Sequence, residues 1–133
     1  MTSKNKNLSN ISIPISLGEL IDKITILEIK TAHMTNLKLK NVKKELKILK
    51  CILEDKNLQV DTNLINNLKE VNNNLWNIED SIRKKESIQK FDKDFIQLAR
   101  SVYKENDKRA SIKKEINLKY NSELVEEKSY NHY

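Results

Sequence analysis

The residues best suited to chemistry lie on one strip of a predicted helix in the last third of the chain. Phe95, Ala99, Val102, Asn106, Arg109, Lys113, Ile116 and Tyr120 recur at alternating spacings of four and three, the period of a buried helix seam. The middle three positions are polar or charged although both flanks are apolar. Arg100, Tyr103 and Asp107 occupy the neighbouring strip. A charge inside a helical bundle must be paired or it is strongly destabilising. The candidate partners are Glu79 and Asp80, beside Trp76 and Arg83, together with Glu28 or Asp22 near the start of the chain. These groups would form a polar layer joining the first, third and fourth helices. The layer has three readings: a network that fixes helix register, a pocket for a small anion, or a bend that lets the side chains reach water. In the second, Arg100, Arg109 and Lys113 are the cationic contacts and Trp76 or Tyr103 a wall.

Other chemistry is thin. Glu19 with Asp22, and Glu123 with Glu126, have the i,i+3 spacing that could clamp a divalent cation on one helix face. Glu19, however, also fits a capping role and the second pair falls in the tail. Cys51 lies off its helix seam with no His nearby in sequence, which suits a half-buried small apolar residue better than a nucleophile. His33 falls at a helix end, where the dipole favours it, and His132 is in the tail. No Ser/His/Asp set or metal cluster emerges, and no cofactor is expected.

These residues sit in a chain of 133 residues with 33% charged, one Gly, one Pro and one Cys. At about 100–200 residues per domain this is one domain. A single Gly argues against turn-rich β architecture and against Gly-rich phosphate loops, and a single Cys excludes an internal disulfide. The first ten residues, MTSKNKNLSN, are polar, and no apolar run is long enough to span a bilayer, so a cytoplasmic protein off the membrane is expected. The net charge of +6 raises the question of nucleic acid. Residues 30–50 hold seven Lys and only Glu45 as an acid, a face able to bind phosphates by counterion release. It has no interleaved aromatics for stacking and no Arg for bidentate base contacts. Lys40, Lys43, Lys44, Lys47 and Lys50 read first as the solvated side of an amphipathic helix.

Ile11, Ile13 and Ile15 alternate with polar residues and Pro14, an extended lead-in or edge strand. Ser16 and Glu19 form a capping box before a first helix carrying Leu17, Leu20, Ile21, Ile24, Leu27 and Ile29, with Ile26 implying cover on more than one face. The pattern lapses at residues 31–37. A second helix follows on the seam Leu39, Val42, Leu46, Leu49 and Leu53, then a turn at 54–60. Asp61 is the candidate N-cap of a third helix on Leu64, Leu68, Val71, Leu75, Ile78 and Ile82. After a break at 83–90, Asp92 caps a fourth that runs to about Tyr120, where Asn121 and Ser122 stop it. The expected fold is an all-α antiparallel bundle of about four helices: residues 1–15 an extended arm, 16–121 the bundle and 122–133 a tail. Helices this long leave seams that one copy does not cover, so a homo-oligomer is expected.

Four stretches, ISLGELIDKITILEIK at 15–30, LWNIEDSIR at 75–83, FDKDFIQLARSVYKENDKRASIKKEIN at 91–117 and EEKSY at 126–130, resemble the signatures of an uncharacterised bacterial family, a domain of unknown function. The resemblance covers nearly the whole chain from about Ile13. It implies no activity. It associates some members with glycosyltransferase-type proteins, the setting of surface-polysaccharide synthesis. It singles out Glu19, Asp22, Lys23, Trp76, Glu79, Asp80, Arg83, Arg100, Tyr103, Asn106, Asp107, Arg109, Lys113, Asn117, Glu126, Glu127, Lys128 and Tyr130. The favoured function is a non-enzymatic helical module that self-associates and docks on a protein partner through the polar layer and the tail. The alternative is a binding protein or enzyme for an anion such as a sugar nucleotide, held by Arg100, Arg109 and Lys113. Nucleic-acid binding through residues 30–50 is a third reading.

Overall fold

A computed structural model describes residues 10–133; the polar start of the chain and most of the expected arm lie outside the described residues. Four helices make an all-α bundle: α1 Leu17–His33, α2 Asn36–Asp55, α3 Thr62–Ser87 and α4 Lys93–Lys119. No strand forms among the described residues, so the alternating isoleucines make no edge strand, and Ile11 and Ile13 are exposed. Two expected boundaries move outwards. The lapse at 31–37 shrinks to Met34 and Thr35, and α3 runs through the expected break to Ser87.

One glycine cannot terminate four helices, and asparagine takes over the task. Asn36, Asn57 and Asn121, with Gln89, are the described residues at positive φ, at 56°, 57°, 52° and 55°. Asn57, Gln89 and Asn121 each sit just past a helix C-cap, where a left-handed residue lets the last carbonyls be satisfied; Asn36 is instead the first residue of α2. After α3 and α4 the closure is complete: Lys90 N–H donates to the Lys85 carbonyl at 2.9 Å and Ser122 N–H to that of Asn117 at 2.8 Å.

α3 and α4 form an antiparallel hairpin. Asp61 meets Tyr120 at one end, Asn74 meets Glu105 midway, and Lys85 meets Asp92 at the other. α1 packs on both of them and on α2, which explains why its apolar positions run round most of its circumference. Leu20, Ile21, Ile24, Leu27 and Ile29 of α1 are five of the ten buried apolar side chains described, and each full burial contributes about 1.5–3 kcal/mol. The centre is Ile21, Leu64, Leu68 and Ile116. The α2 seam faces inward with Val42 buried, but Cys51 is exposed rather than half-buried, because the outer face of α2 meets no other helix.

The strip chosen for α4 splits in two. Phe95, Val102, Arg109 and Ile116 recur every seven residues, and a second position between each pair can fall on either flank. On the α3 side Leu98, Glu105 and Ile112 are partly buried; on the α1 side Ala99 and Asn106 are exposed and Lys113 is buried. α1 has 17 residues and α3 has 26, lengths of about 26 and 39 Å at 1.5 Å per residue. The outer part of the hairpin therefore projects beyond α1 as two helices only.

Candidate functional site

The N-terminus of α1 is closed by α4. Leu17 N–H donates to Ser122 Oγ at 3.1 Å, Gly18 N–H to Asn117 Oδ1 at 2.6 Å, Glu19 N–H to Ser16 Oγ at 3.1 Å, and Leu20 N–H to the Ser16 carbonyl at 3.1 Å. Side chains thus satisfy the three orphan donors of the first turn, and Leu20 makes the first regular helix bond. The helices touch here because residue 18 is glycine: a Cβ would lie 2.5 Å from the Lys113 carbonyl oxygen and 2.9 Å from Asn117 Oδ1. Asn117 Nδ2 is left buried without a partner, a cost accepted so that Oδ1 can face the α1 donor.

One turn further on lies the polar layer. Asp22 is fully buried and accepts from Arg109 through both carboxylate oxygens, Nε to Oδ1 at 2.9 Å and Nη2 to Oδ2. Asn72 of α3 donates Nδ2 to Asp22 Oδ1 and to Thr25 Oγ1, both at 2.9 Å. Thr25 in turn donates to the Asp22 carbonyl at 2.8 Å. Lys113, only 5% exposed, reaches Glu19 at 2.6 Å, Asp22 at 3.7 Å and Glu126 of the tail at 3.5 Å. The Asp22 carboxylate holds Arg109 above its ordinary pKa, so the guanidinium stays charged. The layer joins α1, α3 and α4, but its α3 member is Asn72, not Glu79 or Asp80. Those two lie on the surface and pair within α3, Glu79 with Arg83 at 3.5 Å and Asp80 with Lys84 at 3.3 Å, where water solvates them at little cost. Glu28 turns to Lys50 and Lys69 instead. The Glu19 carboxylate is committed to Lys113 and Lys23, so the capping box works through Ser16 alone.

Arg100 does not join Arg109 and Lys113. Nine residues, about 13 Å of helix, separate it from Arg109, and it is exposed. Asn106 is exposed as well. Tyr103 and Asp107 meet the chain's end: Tyr133 packs edge-on to Tyr103 at 4.8 Å, and a hydrogen bond with Asp107 raises the Tyr133 phenol above its ordinary pKa. The tail runs back along α4, with Glu126 on Lys113 and Glu127 on Lys114 at 3.1 Å. Lys128 lies near Glu126 and the Tyr130 ring. The polar layer is thus taken up by contacts within the chain, whereas the tail, although it pairs with α4, stays exposed from Glu126 to Tyr133.

A second grouping forms between α1 and α3. A cleft of about 550 Å³ is lined by Ile26, Ile29, Lys30, Asn72, Leu75, Trp76, Glu79, Asp80, Arg83 and Arg109. Trp76 is held there by stacking on His33, ring centroids 4.5 Å apart. Trp76, Glu79, Asp80, Arg83 and Arg109, which the sequence grouped in one polar layer, share this concavity instead. Gly18, Thr25, Asn72 and Ser122 were missed. Gly18 alone carried a signal, since a lone glycine inside a helical pattern implies a packing reason.

A profile of a family of unknown function (DUF6165) matches residues 11–133. The chain belongs to that family. No curated protein and no solved structure matches it. Among the described residues of this DUF6165 member no helix is long and apolar enough to cross a membrane.

Proposed function

We propose that the chain is a helical interaction module that pairs with a second copy of itself through the projecting part of the α3–α4 hairpin. The observation that supports this is a single strip of α4. Ile96, Ala99, Tyr103, Asn106, Ala110, Lys113 and Asn117 follow one another at three- and four-residue spacing. Lys113 and Asn117 are buried under α1, Ala110 is partly buried, and the four outer residues are exposed. The strip continues after the helix that covers it has ended, and at the tip Ile88 and Phe91 add further exposed apolar surface.

A two-fold axis near Ala99 makes the strip self-complementary, as an isologous contact requires. The small side chain sits at the crossing, and Ile96 of each copy lies opposite Tyr103 of the other. Across the hairpin, that level falls beside Asp80 on α3. There Glu79 of one copy faces Arg83 of the other, exchanging an exposed pair within one helix for a pair between copies.

Sedimentation of the wild type and of Ala99→Glu tests the reading. Ala99 is exposed in one copy, so circular dichroism should show the variant fully helical, while two carboxylates meeting at the axis should return it to a monomer. A wild type monomeric at every concentration overturns the proposal, as does an Ala99→Glu protein that still dimerises. An accessory role in surface-polysaccharide glycosyltransfer rests on the family resemblance alone; no residue of the structure carries it.

A further inference from the structure

We propose that the cleft between α1 and α3 binds a small ring compound bearing one carboxylate, with the carboxylate on Arg109 and Lys30 and the ring against Trp76. Asp22 uses Nε–H and one hydrogen of Nη2, which leaves the end-on pair of the guanidinium, Nη1 and the second Nη2 hydrogen. Among the described residues nothing accepts from Nη1. This planar fork matches a carboxylate. Arg109 is locked by the buried Asp22, so a ligand meets a donor pair already oriented and little side-chain freedom is lost on binding.

Asp22 offsets the charge of Arg109, and the attraction for an anion must come from elsewhere. Lys30 lines the cleft and makes no ion pair among the described residues. Opposite it, Glu79 and Asp80 put two carboxylates at the rim, each shared with a cation of its own helix. That rim tolerates one negative charge and repels several, which separates this ligand from phosphate dianions and from nucleic acid. The apolar wall of Ile26, Ile29, Leu75 and Trp76 then calls for a ring. The volume of about 550 Å³ lies within the roughly 300–1,000 Å³ of small-molecule sites.

Trp76 is the one tryptophan in the chain, so its indole N–H gives a single proton–nitrogen NMR signal that reports on this cleft, and repeating the titration on Ala99→Glu separates ligand binding from association of copies at the Glu79–Arg83 rim. The probes are benzoate, its uncharged isostere benzamide, and the dianion phenyl phosphate. Benzoate should shift the indole signal saturably, with benzamide and phenyl phosphate each weaker by about tenfold, the loss of one charged contact. Lys30→Ala, at the cleft's edge, should keep its helicity and weaken benzoate by about tenfold, whereas Lys47→Ala on the outer face of α2 should not. No saturable shift with benzoate would overturn the proposal. So would benzamide binding as well as benzoate, phenyl phosphate binding better, or a Lys30→Ala protein that binds benzoate unchanged. Arg109 substitutions threaten the fold, and Lys30→Ala makes the test without them.

Discussion

The two ends of the α3–α4 hairpin are built from the same kinds of residue and treat them oppositely. At the end covered by α1, Asp22, Asn72 and Lys113 are taken out of water, Arg109 is partly so, and every carboxylate oxygen of Asp22 has a donor. At the projecting end Glu79, Asp80, Arg83 and Lys84 form longer pairs of 3.5 and 3.3 Å, with exposures from 51% to 82%. What differs between the two ends is whether a third helix lies on top. Where it does, the charges fix which face of α4 meets α1. Where it does not, they solvate a surface that is left open.

A matched substitution gives the largest expected effect. Arg109→Ala leaves the Asp22 carboxylate buried beside Asn72 without its main cation, and truncating one member of a buried pair costs about 3–5 kcal/mol. Arg83→Ala removes an exposed i,i+4 pair worth about 0.5 kcal/mol or less. Urea denaturation of the two variants should show this contrast with unchanged m-values. Equal and small losses would mean that water reaches Asp22 and that the layer fixes nothing.

Gly18→Ala comes next. The added methyl meets a backbone carbonyl at 2.5 Å, which no rotamer change can relieve, so α1 and α4 must separate. Overpacking of this kind costs about 1–3 kcal/mol, and a backbone obstacle places it at the upper end. The gain in helix propensity, about 1 kcal/mol for Gly to Ala, offsets part of it. A thermal midpoint lowered by several degrees is expected; an unchanged or raised one would show that the crossing is looser than its distances.

The same contrast explains what could be read from the sequence. The helices were legible because seam spacing and local caps are properties of a few neighbouring residues: Ser16, Asp61 and Asp92 each accept from a backbone N–H as their positions foretold. Asp22 and Arg109 were both named because charge at a seam position demands a partner. The choice of that partner was not legible. Glu79 and Asp80 stand beside Trp76 in the sequence, but helical phase turns them outward and leaves Asn72, a residue with no charge to advertise it, as the third-helix member. The heptad spacing places Ala99 and Asn106 inward for a related reason. Positions 98 and 99 fit the same heptad equally well, and only the length of α1 decides which flank is covered.

Acid should separate the two ends by the pH at which each opens. Asp61 caps α3 at the covered end and pairs with Lys119 at 2.9 Å; Asp92 caps α4 at the tip and pairs with Lys85 at 3.1 Å. Asp61 is held below its ordinary value of 3.8, chiefly by the Lys119 hydrogen bond, and Asp92 chiefly by the Phe95 N–H. A depressed carboxylate stabilises the fold fully above the unfolded pKa and loses that contribution as pH falls through the folded one. Both caps therefore weaken below about pH 4. At the covered end α3 stays tied to Tyr120, whose hydroxyl accepts from Asp61 N–H at 2.6 Å, and to the core at Leu64 and Leu68. At the tip little beyond the Phe91–Phe95 edge contact holds α4 once Asp92 is protonated. Amide exchange followed down the pH scale should show the first turn of α4 opening at a higher pH than the first turn of α3. Asp92→Asn, which carries the neutral side chain at every pH, should already open that turn at neutral pH and remove its pH dependence, and simultaneous loss at both ends would mean that the projecting hairpin is braced as well as the covered one.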